Sequence, residues 1–175
     1  MTQTLSGRAL LDGALVEEAT KKSGLIWVRG AGAPERALWH AWIDGAAYVI
    51  GGGPGEQPLD GLVDGAAATV TVRSKDKGGR VVAWTAQVRE IPAGSPAWET
   101  AVAELKGKRL NAPDGEAMPA RWAAQCRLVA LTPAGPLEPA PDTSLAAAPV
   151  ASPATTRHAV PAALPRLLLK RKRRR

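Results

Sequence analysis

The alternation of apolar and polar positions predicts an antiparallel hairpin in the first third of the chain. Residues 36–43 are apolar on both alternating faces, which is typical of a strand buried on two sides. Asp44-Gly45 follows as a two-residue hairpin turn, and residues 47–50 form the returning strand. This pairing is the most strongly supported in the sequence.

A second, longer hairpin is predicted farther along. Residues 69–73 alternate threonine or arginine with valine, and residues 82–89 continue the alternation after a turn of Asp-Lys-Gly-Gly at 76–79. Two more apolar runs, at 25–29 and 126–131, are typical of further strands. The fold class is therefore predicted to be mainly β.

Helical periodicity appears at three places between these strands. Residues 10–22 carry apolar side chains at helical spacing and end in two lysines, which suit the last turn of a helix. Residues 95–110 begin with Ser-Pro, an N-cap followed by a first-turn proline. A short helical turn is predicted at 121–123, and the glycine-rich residues 51–65 are predicted to form a loop.

The composition changes at Thr132 and divides the chain into two parts. Residues 1–132 are predicted to form one domain, which leaves residues 133–175 as a tail. The tail holds eight prolines and many alanines and ends in six consecutive cations, Lys170–Arg175. Proline interrupts helices and lacks the backbone N–H that strand pairing needs, so the tail is predicted to be disordered.

The positive charge of the chain is concentrated in this tail. The formal net charge is +7, but residues 157–175 hold eight Lys and Arg and no acid. The remaining residues carry 15 basic and 16 acidic side chains and are close to neutral. Any weak, non-specific contact with polyanions is therefore assigned to the tail rather than to the domain.

Cysteine and histidine usage excludes several kinds of chemistry. Cys126 is the only cysteine, so no intrachain disulfide forms, and the chain lacks a signal-peptide pattern and an apolar run long enough to span a membrane. These features predict a cytoplasmic protein. His40 has no second histidine in the domain to complete a metal site, and no Gly-x-Ser-x-Gly elbow supports a hydrolase.

The order of the predicted elements resembles a known barrel family. Helix, strand, hairpin, glycine-rich loop, long hairpin, helix and last strand follow one another as in the flavin-binding split β-barrels of the pyridoxamine-phosphate-oxidase-like and deazaflavin-dependent reductase families. Residues 36–41, Arg-Ala-Leu-Trp-His-Ala, stand where those families have a basic strand motif, and residues 67–75 match the strand after their cofactor loop. The resemblance covers about residues 8–132.

This resemblance implies a homodimer, a flavin-type cofactor and a set of binding residues. In those families flavin mononucleotide or a deazaflavin coenzyme lies in a cleft between two subunits, with its phosphate held by arginine and lysine. Arg36 matches the leading arginine of the strand motif. Arg36, Arg73 and Lys75 would then anchor the phosphate end, and the loop from Gly53 to Gln57 would border the cofactor.

Two departures from the family pattern keep a second hypothesis open. Ala41 stands in place of the lysine that closes the strand motif, and Glu56 introduces an acid into the loop. The first hypothesis is a flavin- or deazaflavin-dependent oxidoreductase acting on a small-molecule substrate, with His40 and Tyr48 as candidate proton donors. The second is a cofactor-free dimeric barrel that acts as a binding or scaffold module through its basic tail.

Overall fold

The computed structural model describes residues 2–139 except 77, 111 and 113, and it describes side chains from Leu10 onward. Within these residues it has three α-helices, a 3-10 helix and seven strands. The helices are α1 (Thr2–Lys22), α2 (Pro96–Lys108) and α3 (Met118–Gln125), with the 3-10 helix at Gly115–Ala117. The strands are β1 (Ile26–Arg29), β2 (Arg36–Leu38), β3 (Ala41–Ile43), β4 (Ala46–Gly51), β5 (Ala67–Arg73), β6 (Arg80–Ile91) and β7 (Arg127–Leu137).

The strands form one antiparallel sheet in the order β2-β1-β5-β6-β7-β4-β3. Its two outermost strands, β2 and β3, are consecutive in the chain and are separated only by Trp39 and His40. The two edges of the sheet therefore meet at one short segment, which closes the sheet into a barrel.

Both predicted hairpins are present. β3 and β4 pair across Asp44-Gly45, and both turn residues have positive φ, 45° and 80°, as a two-residue hairpin turn requires. β5 and β6 pair from Ala67↔Gln87 to Arg73↔Arg80.

The prediction of one continuous strand over residues 36–43 is wrong. Its first part, β2, pairs with β1 through Ile26↔Leu38, whereas its second part, β3, pairs with β4 through Ala41↔Tyr48. The alternating apolar pattern could not reveal the division, because both halves bury side chains and the change of partner leaves no mark on the pattern.

The side-chain amide of Gln57 bridges the break between β2 and β3. Its Oε1 accepts a hydrogen bond from the backbone N–H of Trp39 at 2.9 Å, and its Nε2 donates to the Trp39 carbonyl at 3.0 Å. The same Nε2 donates to the carbonyl of Ile50 in β4 at 3.0 Å. Gln57 thus supplies the donor and acceptor that a neighbouring strand would otherwise offer.

Two groups of buried side chains make up the core. All seven strands contribute to the first group, the barrel interior, where Trp84 packs edge-on against Trp42 with ring centroids 6.3 Å apart. The second group lies between the sheet and helices α2 and α3 and includes the buried Trp98 and Trp122. Each fully buried aliphatic side chain stabilises the fold by about 1.5–3 kcal/mol.

Three element boundaries differ from those predicted. α1 begins at Thr2 rather than near Leu10, and the predicted turn at 121–123 is the eight-residue helix α3. β7 continues to Leu137, so residues 133–137 pair with β6 instead of opening the tail. Residues 140–175, and with them most of the predicted disordered tail, lie outside the described residues. No described helix has the length and apolar content needed to cross a membrane.

Replacing Gln57 by alanine removes the three hydrogen bonds at the barrel break and leaves the Trp39 backbone without these partners. We expect the free energy of unfolding to fall by about 2–4 kcal/mol, measured by urea denaturation. Gln125→Ala is the matched control, because that glutamine is exposed at the end of α3. Equal stability of the two variants would contradict the structural role of Gln57.

Candidate functional site: a basic cleft beside the barrel break

An open cleft of about 570 Å³ lies next to the break between β2 and β3. It is formed by the C-terminal ends of α1 and α2, the residues before β1, the break itself and the residue two positions after β5. Its lining side chains and backbone come from Lys21, Lys22, Ser23, Gly24, Leu25, Trp39, His40, Lys75, Gly107, Lys108, Arg109 and Leu110. The volume lies within the range of about 300–1,000 Å³ found for small-molecule sites.

Part of the cleft wall is apolar and open to solvent. Leu25 is 48% exposed and Leu110 is 75% exposed. Trp39 lines the same cleft and is half-buried, and its ring lies tilted against that of Trp122 with centroids 6.2 Å apart. Exposed apolar side chains gathered at one cleft are a common feature of ligand sites.

Five cationic side chains surround this apolar wall, and three of them have acidic partners. Lys21 and Lys22 form i,i+4 ion pairs on α1 with Glu17 and Glu18, all four side chains being exposed. Arg109 pairs with Glu56 at 3.1 Å. Because exposed i,i+4 pairs contribute little, Lys21 and Lys22 remain free to turn toward an anionic ligand.

His40 is held in the cleft wall as a neutral imidazole. It is 2% exposed, and its Nε2 donates a hydrogen bond to the carbonyl of Thr20 in the last turn of α1 at 3.0 Å. Burial, helped by the positive charge of Lys108 and opposed by the Thr20 hydrogen bond, lowers the pKa of His40 to about 4. The Nδ1 atom is therefore an acceptor, and it has no hydrogen-bond partner among the described residues.

This arrangement argues against the role of His40 as a proton donor. Its one N–H is committed to Thr20, and the neutral form prevails at physiological pH. Tyr48, the other candidate donor, lies in β4 beside the second core group and is not among the residues that line the cleft. The burial of His40 is typical of a core histidine.

A buried carboxylate holds the loop after β4 against the two later helices. Glu56 is 1% exposed at its side chain and accepts hydrogen bonds from Arg109 Nε at 3.1 Å, from Arg121 Nη2 at 3.0 Å and from the indole Nε1 of Trp122 at 3.0 Å. Arg121 also bonds Asp114, which lowers the pKa of that carboxyl and raises the pKa of the guanidinium. Glu56 is thus neutralised by two guanidinium groups and does not present a free negative charge to a ligand.

The structure does not bring the five sequence-predicted site residues together at one site. Lys75 lines the basic cleft, and Arg73 shares with it an adjoining cleft of about 440 Å³ that also includes Lys22. Arg36 faces Asp60 at 3.7 Å outside both clefts. Gln57 bridges the barrel break, and Gly53 packs so closely on the end of α3 that a Cβ there would lie 2.6 Å from the sulfur of Cys126.

Arg73 has contacts of its own at the rim. Its guanidinium pairs with Glu35 at 2.9 Å and lies 4.7 Å from the centre of the Trp27 ring, a cation–π contact. Cys126 is half-buried, and burial raises the pKa of its thiol, which makes it a weak nucleophile. Within the described residues, no three His, Cys, Asp or Glu side chains gather as metal ligands do.

Sequence reasoning missed the cleft residues contributed by helix ends. In the sequence, Lys21 and Lys22 indicate only a favourable last turn of a helix, and no pattern marks Lys108 or Arg109 as site residues. The signal available in the sequence was that two helices both end in cations, but only the fold shows that these two ends meet.

Comparison with known proteins identifies the fold. No family model matches the chain, and no curated protein matches its sequence. HutZ, the heme storage protein from Vibrio cholerae, superposes with a TM-score of 0.50 at 12% identity, over 70% of this chain and 90% of that chain. Two further solved structures are similar. An F420 reductase has a TM-score of 0.45 at 14% identity, over 68% of this chain and 93% of that chain. The FAD and heme binding protein from Mycobacterium smegmatis has a TM-score of 0.43 at 13% identity, over 86% of this chain and 92% of that chain.

The superposition on HutZ defines the class of the protein at the level of fold. The chain is mainly β, with a seven-stranded antiparallel sheet of the split-barrel type, and the predicted fold class is confirmed. The identities are too low to transfer a function. The cleft residues themselves must therefore supply the functional argument.

Replacing Glu56 by alanine leaves Arg109 and Arg121 without their shared buried carboxylate. We expect the free energy of unfolding to fall by about 3–5 kcal/mol in urea denaturation, the usual cost of breaking a buried pair. Glu116→Ala is the matched control, because Glu116 also pairs with one cation, Lys106, but at the surface, and its loss should change stability little. A similar small effect for both variants would show that Glu56 is not a structural anchor.

The buried neutral His40 also predicts a pH dependence of stability. Because its pKa is about 4 in the folded chain and about 6.5 when unfolded, the unfolded state binds more protons between these values. Stability should therefore fall as the pH is lowered through this window, by at most about 1.4 kcal/mol per pH unit from this group.

The measurement compares urea unfolding at pH 7 and pH 5 for the natural chain and for His40→Gln, which cannot titrate. The natural chain should lose more stability on acidification than the variant. Direct NMR titration of the His40 ring provides a check that does not depend on the variant folding, and a ring that titrates near pH 6.5 would contradict the prediction.

Proposed function

We propose that this split barrel binds a flavin-type cofactor, flavin mononucleotide or a deazaflavin coenzyme, in the basic cleft and serves as a hydride-transfer oxidoreductase. The observation that carries the proposal is the combination, in one cleft of about 570 Å³, of an exposed apolar wall and a cationic rim. Flavin-type cofactors have the matching two-part character, a planar ring system with limited polarity and an anionic phosphate end.

The residues present fit such a ligand in three respects. Leu25, Leu110 and Trp39 offer apolar surface for one side of a ring. Neutral His40 keeps the wall behind them uncharged, so that the positive charge stays at the rim. Lys75 and Lys108 provide ammonium groups that can pair with phosphate oxygens.

The chemistry belongs to the cofactor, and the barrel provides its surroundings. A flavin-type cofactor, when bound, supplies hydride transfer, and the protein contributes binding, orientation and protection from water. Glu56 supports this role indirectly, because it holds Arg109 at the cleft wall. A homodimer is part of the proposal, as the resemblance implies that the cofactor lies between two subunits.

The test is a fluorescence titration of the full chain with flavin mononucleotide and with the deazaflavin coenzyme. Leu110→Glu places a carboxylate in the cleft, and we expect it to weaken binding by about tenfold or more. Val63→Glu is the matched control, because Val63 is 57% exposed but lies away from the cleft.

Two outcomes would overturn parts of the proposal. If neither cofactor binds at micromolar concentration, the oxidoreductase proposal fails and the cofactor-free scaffold with a polyanion-binding tail is the hypothesis left. If a cofactor binds but Leu110→Glu behaves as Val63→Glu does, the cleft is not its site. Arg36→Ala in the same titration then shows whether the phosphate is held on the barrel strands, as the resemblance implies.

A further inference from the structure

Only two cations of the cleft have no acidic partner among the described residues. Lys21 and Lys22 are paired on α1 with Glu17 and Glu18. Lys75 and Lys108, by contrast, form no ion pair in the described part of the chain. Their ammonium groups are exposed and can bind a ligand without first giving up a protein contact.

Arg109, the fifth cation, is already committed. Its Nε donates to Glu56, its Nη1 to the carbonyl of Leu110 at 2.8 Å and its Nη2 to the carbonyl of Gly55 at 3.2 Å. Arg109 therefore mainly links the end of α2 to the loop after β4 through hydrogen bonds. Lys75 and Lys108 are therefore the cations of the cleft that can bind an anion without first giving up an ion pair of the described residues.

The two lysines reach the cleft from different parts of the fold. Lys75 lies two residues after the end of β5, and Lys108 is the last residue of α2. Both line the same cleft, and the positive charge of Lys108 contributes to the lowered pKa of the His40 ring. Cations from separate elements that face one cavity can contact two sides of a single phosphate.

Each of the two helix ends at the cleft has a carbonyl that is already bonded within the protein. A helix C-terminus carries partial negative charge on its last carbonyls, and both α1 and α2 end at the cleft. On α1, the Thr20 carbonyl accepts from His40 and from the backbone N–H of Ser23, and on α2 the Leu105 carbonyl accepts from Arg109. These carbonyls are therefore occupied by donors of the protein itself.

The apolar wall of the same cleft is where the ring end of the ligand would lie. Trp39 is half-buried there, and the exposed Leu25 and Leu110 line the same cleft. His40 lies behind this wall, because its side chain is 2% exposed and its unpaired Nδ1 atom is itself buried.

We infer that Lys75 and Lys108 form an anion site that binds the phosphate end of the ligand, while the ring end lies toward Trp39 and His40. The identity of the ligand rests on the proposed function, but the anion site rests on the two lysines alone. It differs from the placement implied by the family resemblance, because one ligand residue is at a helix end rather than on the barrel strands.

The experiment compares flavin mononucleotide with riboflavin, which has the same ring and no phosphate. In the full chain carrying Lys75→Gln and Lys108→Gln, we expect the affinity for flavin mononucleotide to fall by roughly 10- to 100-fold, since two charge-assisted contacts are lost. The affinity for riboflavin should stay within about twofold of that of the natural chain.

The matched control is Arg29→Gln with Arg89→Gln. Both arginines are exposed, form no ion pair among the described residues and do not line the cleft, so this variant loses the same charge elsewhere and keeps the basic tail. It should bind flavin mononucleotide as the natural chain does. A loss equal to that of the lysine variant would show a general charge effect and overturn the anion site.

The outcomes separate the anion site from the proposed function. Equal binding of flavin mononucleotide and riboflavin to the natural chain would overturn the anion site and leave flavin binding intact. If neither flavin mononucleotide nor the deazaflavin coenzyme binds, the proposed function fails, and calorimetry with inorganic pyrophosphate still tests the site. Pyrophosphate binding that is weakened only in the lysine variant would support it, and binding that is unchanged would overturn it.

Discussion

The barrel is closed by a side-chain amide that takes the place of a peptide group. β2 and β3 must follow different neighbours, so the chain leaves the sheet at Trp39 and re-enters it at Ala41. The backbone groups of Trp39 would lose their ladder partners there, and buried unpaired backbone groups are costly. Gln57 satisfies both and also bonds Ile50 across the gap. Its own position is set by the loop after β4, where the N–H of Gly52 donates to the Gln57 carbonyl at 2.9 Å.

The same break creates the candidate site. A continuous strand would alternate its side chains between barrel interior and exterior, whereas the break at Trp39 and His40 lets both side chains line the cleft. His40 then bonds the end of α1, and Trp39 packs on Trp122 of α3. The Gln57 hydrogen bonds that close the barrel thus also hold Trp39 at the cleft. Glu56, next to Gln57 in the chain, links the same loop to Arg109 at the end of α2.

The elements that depend on local pattern could be predicted from the sequence, and those that depend on a change of partner could not. The turn at Asp44-Gly45 and the helix that begins at Ser95-Pro96 are set by residues within a few positions of one another. The break at Trp39 depends on Gln57, eighteen residues later, and no periodicity records that pairing. Lys75 was predicted as a site residue, but its companion Lys108 required knowing that the end of α2 returns to the barrel break.

Charge placement explains why composition was a poor guide to this site. The domain is close to neutral overall, so its net charge points to no anionic partner. The structure divides the charges into two kinds. Glu56, Glu17 and Glu18 are each paired with neighbouring cations, whereas Lys75 and Lys108 pair with no acid in the part of the chain that the structure describes. Local potential in a cleft depends on the unpaired charges that face it, not on the sum over the domain. A neutral barrel can therefore attract a phosphate at one cleft without becoming a general polyanion binder.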